Sequence, residues 1–405
     1  YMKGCYLKKN KTHELKRRLL LTMLILAIYM VGRSILLYNV DPAAYQLGDL
    51  NSQNIMISII SGDRYQYTVF ALGIMPYITS MLIMWIFMAI RGAEFKARFS
   101  PQRMERITLM LMITIATISA VSRADSLVFK ESPMDIQTLK IIAVLEMIAG
   151  AAVIYKIAGI NKEEGIGGQA PIILVNILDN MAATVQKFTG AELYKVVLLC
   201  LIMAAVVLTM ENIIIRIPIQ RVSIHNIYAD KSYIALKLDP IGVMPVMFAV
   251  SFFMIPQLVV RFFLLFYEEN LTLQFIYEKL NLTTVPGVVI YLGIVFSLNL
   301  IFSFIMLAPG DMAEQLQKSG DSIVGVYAGK KTKRYLKRKL LMLTFFSGCV
   351  LCLLMGTSLG LSLGGQISSE LALFPSTAMI LIGLLCPLYR EVKAYRKFDS
   401  YSFFI

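Results

Sequence analysis

The sequence predicts an all-α polytopic membrane protein that crosses the bilayer ten times. Three observations lead there. Ten apolar runs punctuate the 405 residues, the loops between them alternate between strongly basic and nearly neutral, and the composition is that of a membrane domain. Hydrophobic residues make up 57% and charged residues 16%, against ~45–50% and ~25% in soluble domains.

The runs lie at about 19–37, 68–90, 107–122, 138–157, 170–186, 193–215, 241–260, 285–307, 340–356 and 371–389. Most approach the ~20 residues that carry a helix through ~30 Å of hydrocarbon. The first is longer than the apolar core of a leader peptide, and no small-residue cleavage site follows it, so it reads as a membrane span. Of the 39 Lys and Arg residues, 30 fall in the two tails and every second loop, and 7 in the intervening loops. By the positive-inside rule both termini are expected in the cytoplasm of a multi-pass protein of the cytoplasmic membrane. The net charge of +13 is mostly this orientation signal, so no nucleic-acid partner is read from it.

Between the first two spans, residues 40–67 carry a short apolar stretch, Ile55–Ile60, bracketed by Asn51, Ser52, Gln53 and Asn54 before and Ser61 and Gly62 after. Six residues cannot cross a bilayer. They suit either an ordinary outer loop or a re-entrant half-helix, which is tolerated at membrane depth only inside protein or beside water. Glu146 and Asp179 fall within spans four and five. Facing lipid, each would cost about 2.5–3.5 kcal/mol, so each must face protein or water. In span five Gln169, Asn176, Asn180 and Lys187 recur on one helical face, which fits a water-lined path or bonding to a neighbouring helix. The Cys349–Cys352 pair has redox spacing but sits in an apolar span, where packing is the expected role. No nucleophile–base set, metal-ligand spacing or phosphate-binding loop appears, so neither enzymatic chemistry nor a cofactor is expected, and transport energy must come from a partner.

Five motifs follow one another in order: FALGIMPYITS at 70–80 opening span two, EGIGG at 164–168 opening span five, RIPIQ at 216–220 after span six, IGVMPVMFA at 241–249 opening span seven, and 309–329, with AEQLQKSG inside, after span eight. In this order the chain resembles SecY, the protein-conducting channel family, over nearly its whole length. The resemblance implies two pseudo-symmetric halves of inverted topology, 1–190 and 191–405, closing around a central pore. It implies a plug at about 50–62, with Asn54, Ile55, Met56, Ile57, Ile59 and Ile60 at its centre. It implies a pore ring of Ile74, Ile78, Leu174, Met247 and Leu381, with the small Ala170 at a further ring position. It also implies a lateral gate between spans two and three on one side and seven and eight on the other, carrying Thr79, Ser251 and Asn299.

The implied partners are a SecA-type ATPase, small SecE- and SecG-like membrane subunits, an unfolded secretory polypeptide and membrane lipid. Two departures stand out: GIGGQ at 165–169 replaces the family's Gly-Ile-Gly-Asn-Gly, and Tyr327-Ala328 replaces the Arg-Pro of its Gly-x-Arg-Pro-Gly. That arginine is associated with motor coupling. The drift is similar to the accessory SecY paralogues of Gram-positive bacteria, which export serine-rich glycosylated adhesins with a dedicated motor. Cytoplasmic loops at about 216–237 and 309–339 are expected to dock it through Arg216, Arg221, Lys231, Tyr327, Lys330, Lys331, Lys333 and Arg334, although a basic run also attracts anionic lipid. A housekeeping SecY channel is the alternative within the family. An ion-coupled secondary transporter is the alternative outside it, and it predicts broken helices around Glu146 and Asp179.

Overall fold

The computed structural model describes residues 14–41, 67–91, 100–125, 127–130, 134–187, 191–220, 232–264, 271–365 and 369–401. Its long helices are α1 (Glu14–Gly32), α2 (Met75–Arg91), α3 (Pro101–Ala124), α4 (Ile136–Glu164), α5 (Ala170–Lys187) and α6 (Ala191–Asn212). A hairpin follows, of β1 (Ile214–Gln220) and β2 (Tyr233–Lys237). Then come α7 (Met244–Leu264), the short α8 (Leu271–Lys279), α9 (Val285–Leu307), α10 (Pro309–Lys318), β3 (Ser322–Ile323), α11 (Lys330–Leu363), α12 (Ser369–Ala372) and α13 (Phe374–Tyr401). Among the described residues, six helical stretches are long and apolar enough to cross a membrane, and α2 and α5 hold shorter apolar ones. The expected plug, and with it Asn54, Ile55, Met56, Ile57, Ile59 and Ile60, lies outside the described residues, as do Arg221 and Lys231.

Local chemistry sets several boundaries. Ser100 with Pro101 starts α3, proline being suited to a first turn whose N–H groups have no partner. Thr284 caps α9, its hydroxyl accepting from the Gly287 N–H at 3.4 Å, and Pro286 follows in the first turn. That helix ends at Ala308, whose left-handed backbone (φ 37°) turns the chain into α10 at Pro309.

Helices without a hydrophobic force between them in lipid associate by close packing, so small residues mark the contacts. Ala116, Ala120 and Ala124 of α3 share a buried cluster with Ala143, Met147 and Ala151 of α4. Gly150 lets the chain before α2 lie against α4, because a Cβ there would come within 2.1 Å of the Val69 carbonyl oxygen. The main core joins residues of α2, α5, α7, α9, α11 and α13. The two expected halves touch along two lines, α2 and α3 against α7 and α9, and α1 and α5 against α13.

The structure corrects two expected boundaries. The apolar run assigned to 340–356 belongs to a 34-residue helix that starts at Lys330, so the basic run 330–339 is helical rather than part of a loop. Charge ends a hydropathy run but does not end a helix: Thr332, Leu336 and Leu340 are buried on one face while the basic residues are exposed. The run assigned to 193–215 stops at Asn212, and its last residues enter β1. β1 is the central strand of a three-stranded sheet in the order β2-β1-β3. Ile217, Leu236 and Ile323 from the sheet pack with Ala313 of α10 and Leu336 and Leu343 of α11. The described parts of both expected docking loops therefore fold into one small unit.

Candidate functional site

Three of the residues expected to seal a pore sit at helix starts. Ile74 immediately precedes α2 and Ile78 lies in its first turn, both fully buried. Met247 lies in the first turn of α7 and is also buried. Ile74, Ile78 and Met247 share one apolar cluster, against which the half-buried Leu381 of α13 packs. Leu174 is buried but falls outside that cluster, to which α5 contributes Ile172, Ile173 and Ile177. These side chains offer neither a hydrogen-bond donor nor an acceptor, so a constriction built from them dewets when empty.

Two polar residues of span five, Asn176 and Asp179, face α1. The Tyr29 hydroxyl donates to Asn176 Oδ1 at 2.8 Å, and Arg33 Nη2 meets Asp179 Oδ2 at 2.7 Å. Tyr29 also stacks on Phe70, their ring centres 5.9 Å apart. Glu146 accepts from the Tyr38 N–H at 2.9 Å, and Lys140 pairs with Asp125 at 2.6 Å. Both carboxylates thus have structural partners, and the helices through them, α4 and α5, are unbroken. That removes the broken-helix arrangement an ion-coupled transporter requires. Cys352 donates its thiol to the Leu292 carbonyl at 3.5 Å, and both it and Cys349 are free thiols.

The GIGGQ turn is held by residues the sequence did not single out. Thr22 donates to Asn161 Oδ1 and accepts from the Ile166 N–H, both at 2.9 Å. The Asn161 amide donates to the Ile166 and Gly168 carbonyls. Arg18 reaches the Gly165 carbonyl at 3.2 Å, and the Gly167 N–H donates to Glu391 of α13 at 3.1 Å. A second buried group joins α6, β2 and α13, where Glu211 binds Lys237 and Arg390, each at 3.0 Å. Gly242, with φ 71°, lets the chain pass beside Glu211, since a Cβ there would lie 2.5 Å from its Oε1. Asp239, also buried, has one carboxylate oxygen without a partner. Burial pushes its pKa up to about 7, the Glu211 charge adding to the rise while the Gly242 and Ile241 N–H groups and Lys237 oppose it. The usable sequence signal was an acidic residue at the end of one apolar run, Glu211, and another just before the next, Asp239, both too close to the membrane to be left without partners.

Of the expected gate residues, Thr79 donates to the Met75 carbonyl in its own helix at 2.8 Å. Asn299 lies on α9, the expected span eight. Its amide donates to the Thr344 carbonyl and Ser347 Oγ, each at 3.0 Å, so it joins α9 to α11 rather than bonding across the α2–α7 line. A buried amide satisfies its donors on the nearest acceptors, and α11 approaches closely there because Gly348 faces Asn299. Ser251 lies on α7, its side chain outside the described residues. Besides aliphatic contacts, aromatic rings meet across the line: Trp85 of α2 against Phe248 of α7 and Phe302 of α9.

At the sheet end, Arg216 lies over the Tyr233 ring at 4.9 Å, and Tyr327, 77% exposed, has the Lys331 ammonium 4.6 Å from its ring centre. Lys330, Lys331, Lys333 and Arg334 are all exposed on the first turns of α11.

A bundle of apolar helices closed around an aliphatic cluster, with a basic folded unit at one end, is the arrangement of a protein-conducting membrane channel. The SecY family model matches residues 68–385, and the chain belongs to the SecY family. It is therefore a multi-pass membrane protein and a translocation pore rather than an enzyme. It is 27% identical over 394 residues to an accessory Sec system protein translocase subunit SecY2 of Streptococcus sanguinis, covering 95% of this chain and 97% of that one. It is 24% identical over 417 residues to a protein translocase subunit SecY of Staphylococcus aureus, covering 97% of each. A solved structure of a protein-conducting channel superposes with a TM-score of 0.67 at 17% identity, over 95% of this chain and 93% of that one.

Proposed function

We propose that this chain is the channel subunit of an accessory Sec translocase, passing unfolded serine-rich surface proteins through the cytoplasmic membrane. In this reading ten helices span the bilayer as two inverted halves with both termini cytoplasmic. Ile74, Ile78, Leu174, Met247 and Leu381 form the seal, residues 50–62 plug it, and the α2–α3 and α7–α9 line is the sideways exit. A dedicated SecA-type ATPase supplies the energy, with SecE- and SecG-like subunits alongside. The likeness to accessory SecY2 relatives supports the choice of system.

The observation that carries motor docking is the amino end of α11. A helix start favours acidic residues, because its unpaired N–H groups carry partial positive charge. Here the first turn holds no acid and begins Lys-Lys-Thr-Lys-Arg. Each misplaced charge costs about 0.3–1 kcal/mol when exposed, so the cluster works against its own helix and makes sense as a surface for an acidic partner. Tyr327, exposed beside it, stands where the family's arginine would be and supplies a stacking contact that selects the dedicated motor. Binding of both motor types should be measured on the channel in neutral-lipid nanodiscs, where headgroup attraction is absent. Reversing Lys330, Lys331, Lys333 and Arg334 to Glu should weaken the dedicated motor by about tenfold or more, and Tyr327→Arg should strengthen the housekeeping one. Unchanged affinities in both tests would refute docking and leave anionic lipid as the partner of this helix.

A further inference from the structure

The chain has one tryptophan, and it stands on the line where the two halves meet. Trp85 of α2 contacts Phe248 of α7 with ring centres 5.7 Å apart and planes at 63°, and Phe302 of α9 at 6.2 Å and 87°. Phe248 and Phe302 also meet edge-on, at 5.2 Å and 67°. Both phenylalanines are buried to 1% exposure, and Trp85 is half-buried. All three contacts have the edge-to-face geometry that aromatic rings prefer.

In lipid, separating two apolar helix faces meets no hydrophobic penalty, because acyl chains solvate them as well as each other does. A seam held only by aliphatic contact would therefore drift open, and the polar residues described here, Thr79 and Asn299, bond away from it. Ring-edge contacts differ, since acyl chains have no quadrupole to replace them. Parting the halves breaks both Trp85 contacts and leaves the Phe248–Phe302 pair intact on the α7–α9 side.

We propose that Trp85 is the bolt of the sideways gate, held edge-on by Phe248 and Phe302, and that it sets how readily an apolar helical segment enters the seam. This rests on the assignment of that line as the lateral exit. The phenylalanine pair left behind is an apolar ledge, which a hydrophobic segment of translocating chain can occupy in place of the indole.

The test uses a cysteine pair, Thr79→Cys and Ile255→Cys, with the five natural cysteines replaced by alanine. The positions lie six residues before Trp85 and seven after Phe248, at matching depth if α2 and α7 run antiparallel. In nanodiscs, the rate of disulfide formation under copper–phenanthroline reports the closed fraction. Trp85→Ala should slow it about three- to tenfold, the equivalent of losing one or more ring pairs, and Trp85→Phe should restore most of it. Phe248→Leu with Phe302→Leu, which keeps apolar volume without ring edges, should slow it similarly and covers the case in which the alanine variant fails to fold. Unchanged rates in all three variants would overturn the bolt. No disulfide in the unaltered pair would instead overturn the seam assignment on which the bolt rests.

Discussion

Replacing Asp239 by asparagine should remove a pH dependence from the stability of the whole helical bundle. The carboxyl is 2% exposed and sits beside the Glu211 carboxylate, so its pKa is raised from 3.8 to about 7. A carboxyl that holds its proton more tightly when folded contributes stability that is complete below pH 3.8 and is lost as pH rises towards 7. At about 1.4 kcal/mol per unit the full loss is about 4 kcal/mol, of which about 2–3 kcal/mol falls between pH 5 and pH 8. Asparagine keeps an oxygen for the Ile241 and Gly242 N–H groups but carries no charge to bury. The detergent-solubilised protein and its Asp239→Asn variant should be melted at half-unit steps over that range. The variant should be the more stable by pH 8, and the difference between the two should shrink towards acid. Other titrating groups are common to both proteins and cancel in the comparison. A difference that stays flat with pH would refute the reasoning.

The Arg33–Asp179 pair gives a second test. Removing one partner of a buried pair costs about 3–5 kcal/mol; with Asp179 35% exposed, water reduces this to about 1–3 kcal/mol. Arg33→Leu and Asp179→Asn should each lower the melting temperature, and the double variant should lose less than the sum of the two, whereas strict additivity would count against the pair. For the seal, Ile78→Asn and Met247→Asn should each raise ion leakage through vesicles carrying the channel, because an amide keeps water in the constriction. Leakage equal to that of the unaltered protein would show that the ring lies elsewhere.

Much of the architecture was legible because apolar length and loop charge are local properties. The run at 285–307 coincides with α9 because Thr284 and Pro286 at one end and Pro309 at the other mark its limits chemically. The start of α11 was missed for the opposite reason, since charge ended the apolar run ten residues after the backbone had become helical. The hairpin was hidden because Ile213, Ile214 and Ile215 continue the apolar run of α6 without a break. Ordered motifs pointed to the family, but the partners of polar residues could not be read from them. Arg33 meets Asp179 across 146 positions, and Glu211 meets Arg390 across 179. The gate was expected to be polar because polar side chains are conspicuous in apolar spans. The line between the halves instead carries the rings of Trp85, Phe248 and Phe302, and one tryptophan among many apolar residues carries no such flag.

The turn at Gly165–Gly168 has a consequence for how the chain is made. Ribosomes deliver α1 well before α13, yet these two helices grip the same turn from opposite sides. The Leu15 N–H donates to Asp399, the Arg18 guanidinium lies 4.8 Å from the Tyr395 ring centre, and Gly167 is bound by Glu391. Until α13 has been synthesised, the first five helices can insert and pack, but their turn lacks one wall. The line of contact between α1, α5 and α13 therefore closes late, when α13 docks against α1. A chain abandoned before α13 would leave a recognisable mark: an amino-terminal half whose Gly167 N–H has found no carboxylate.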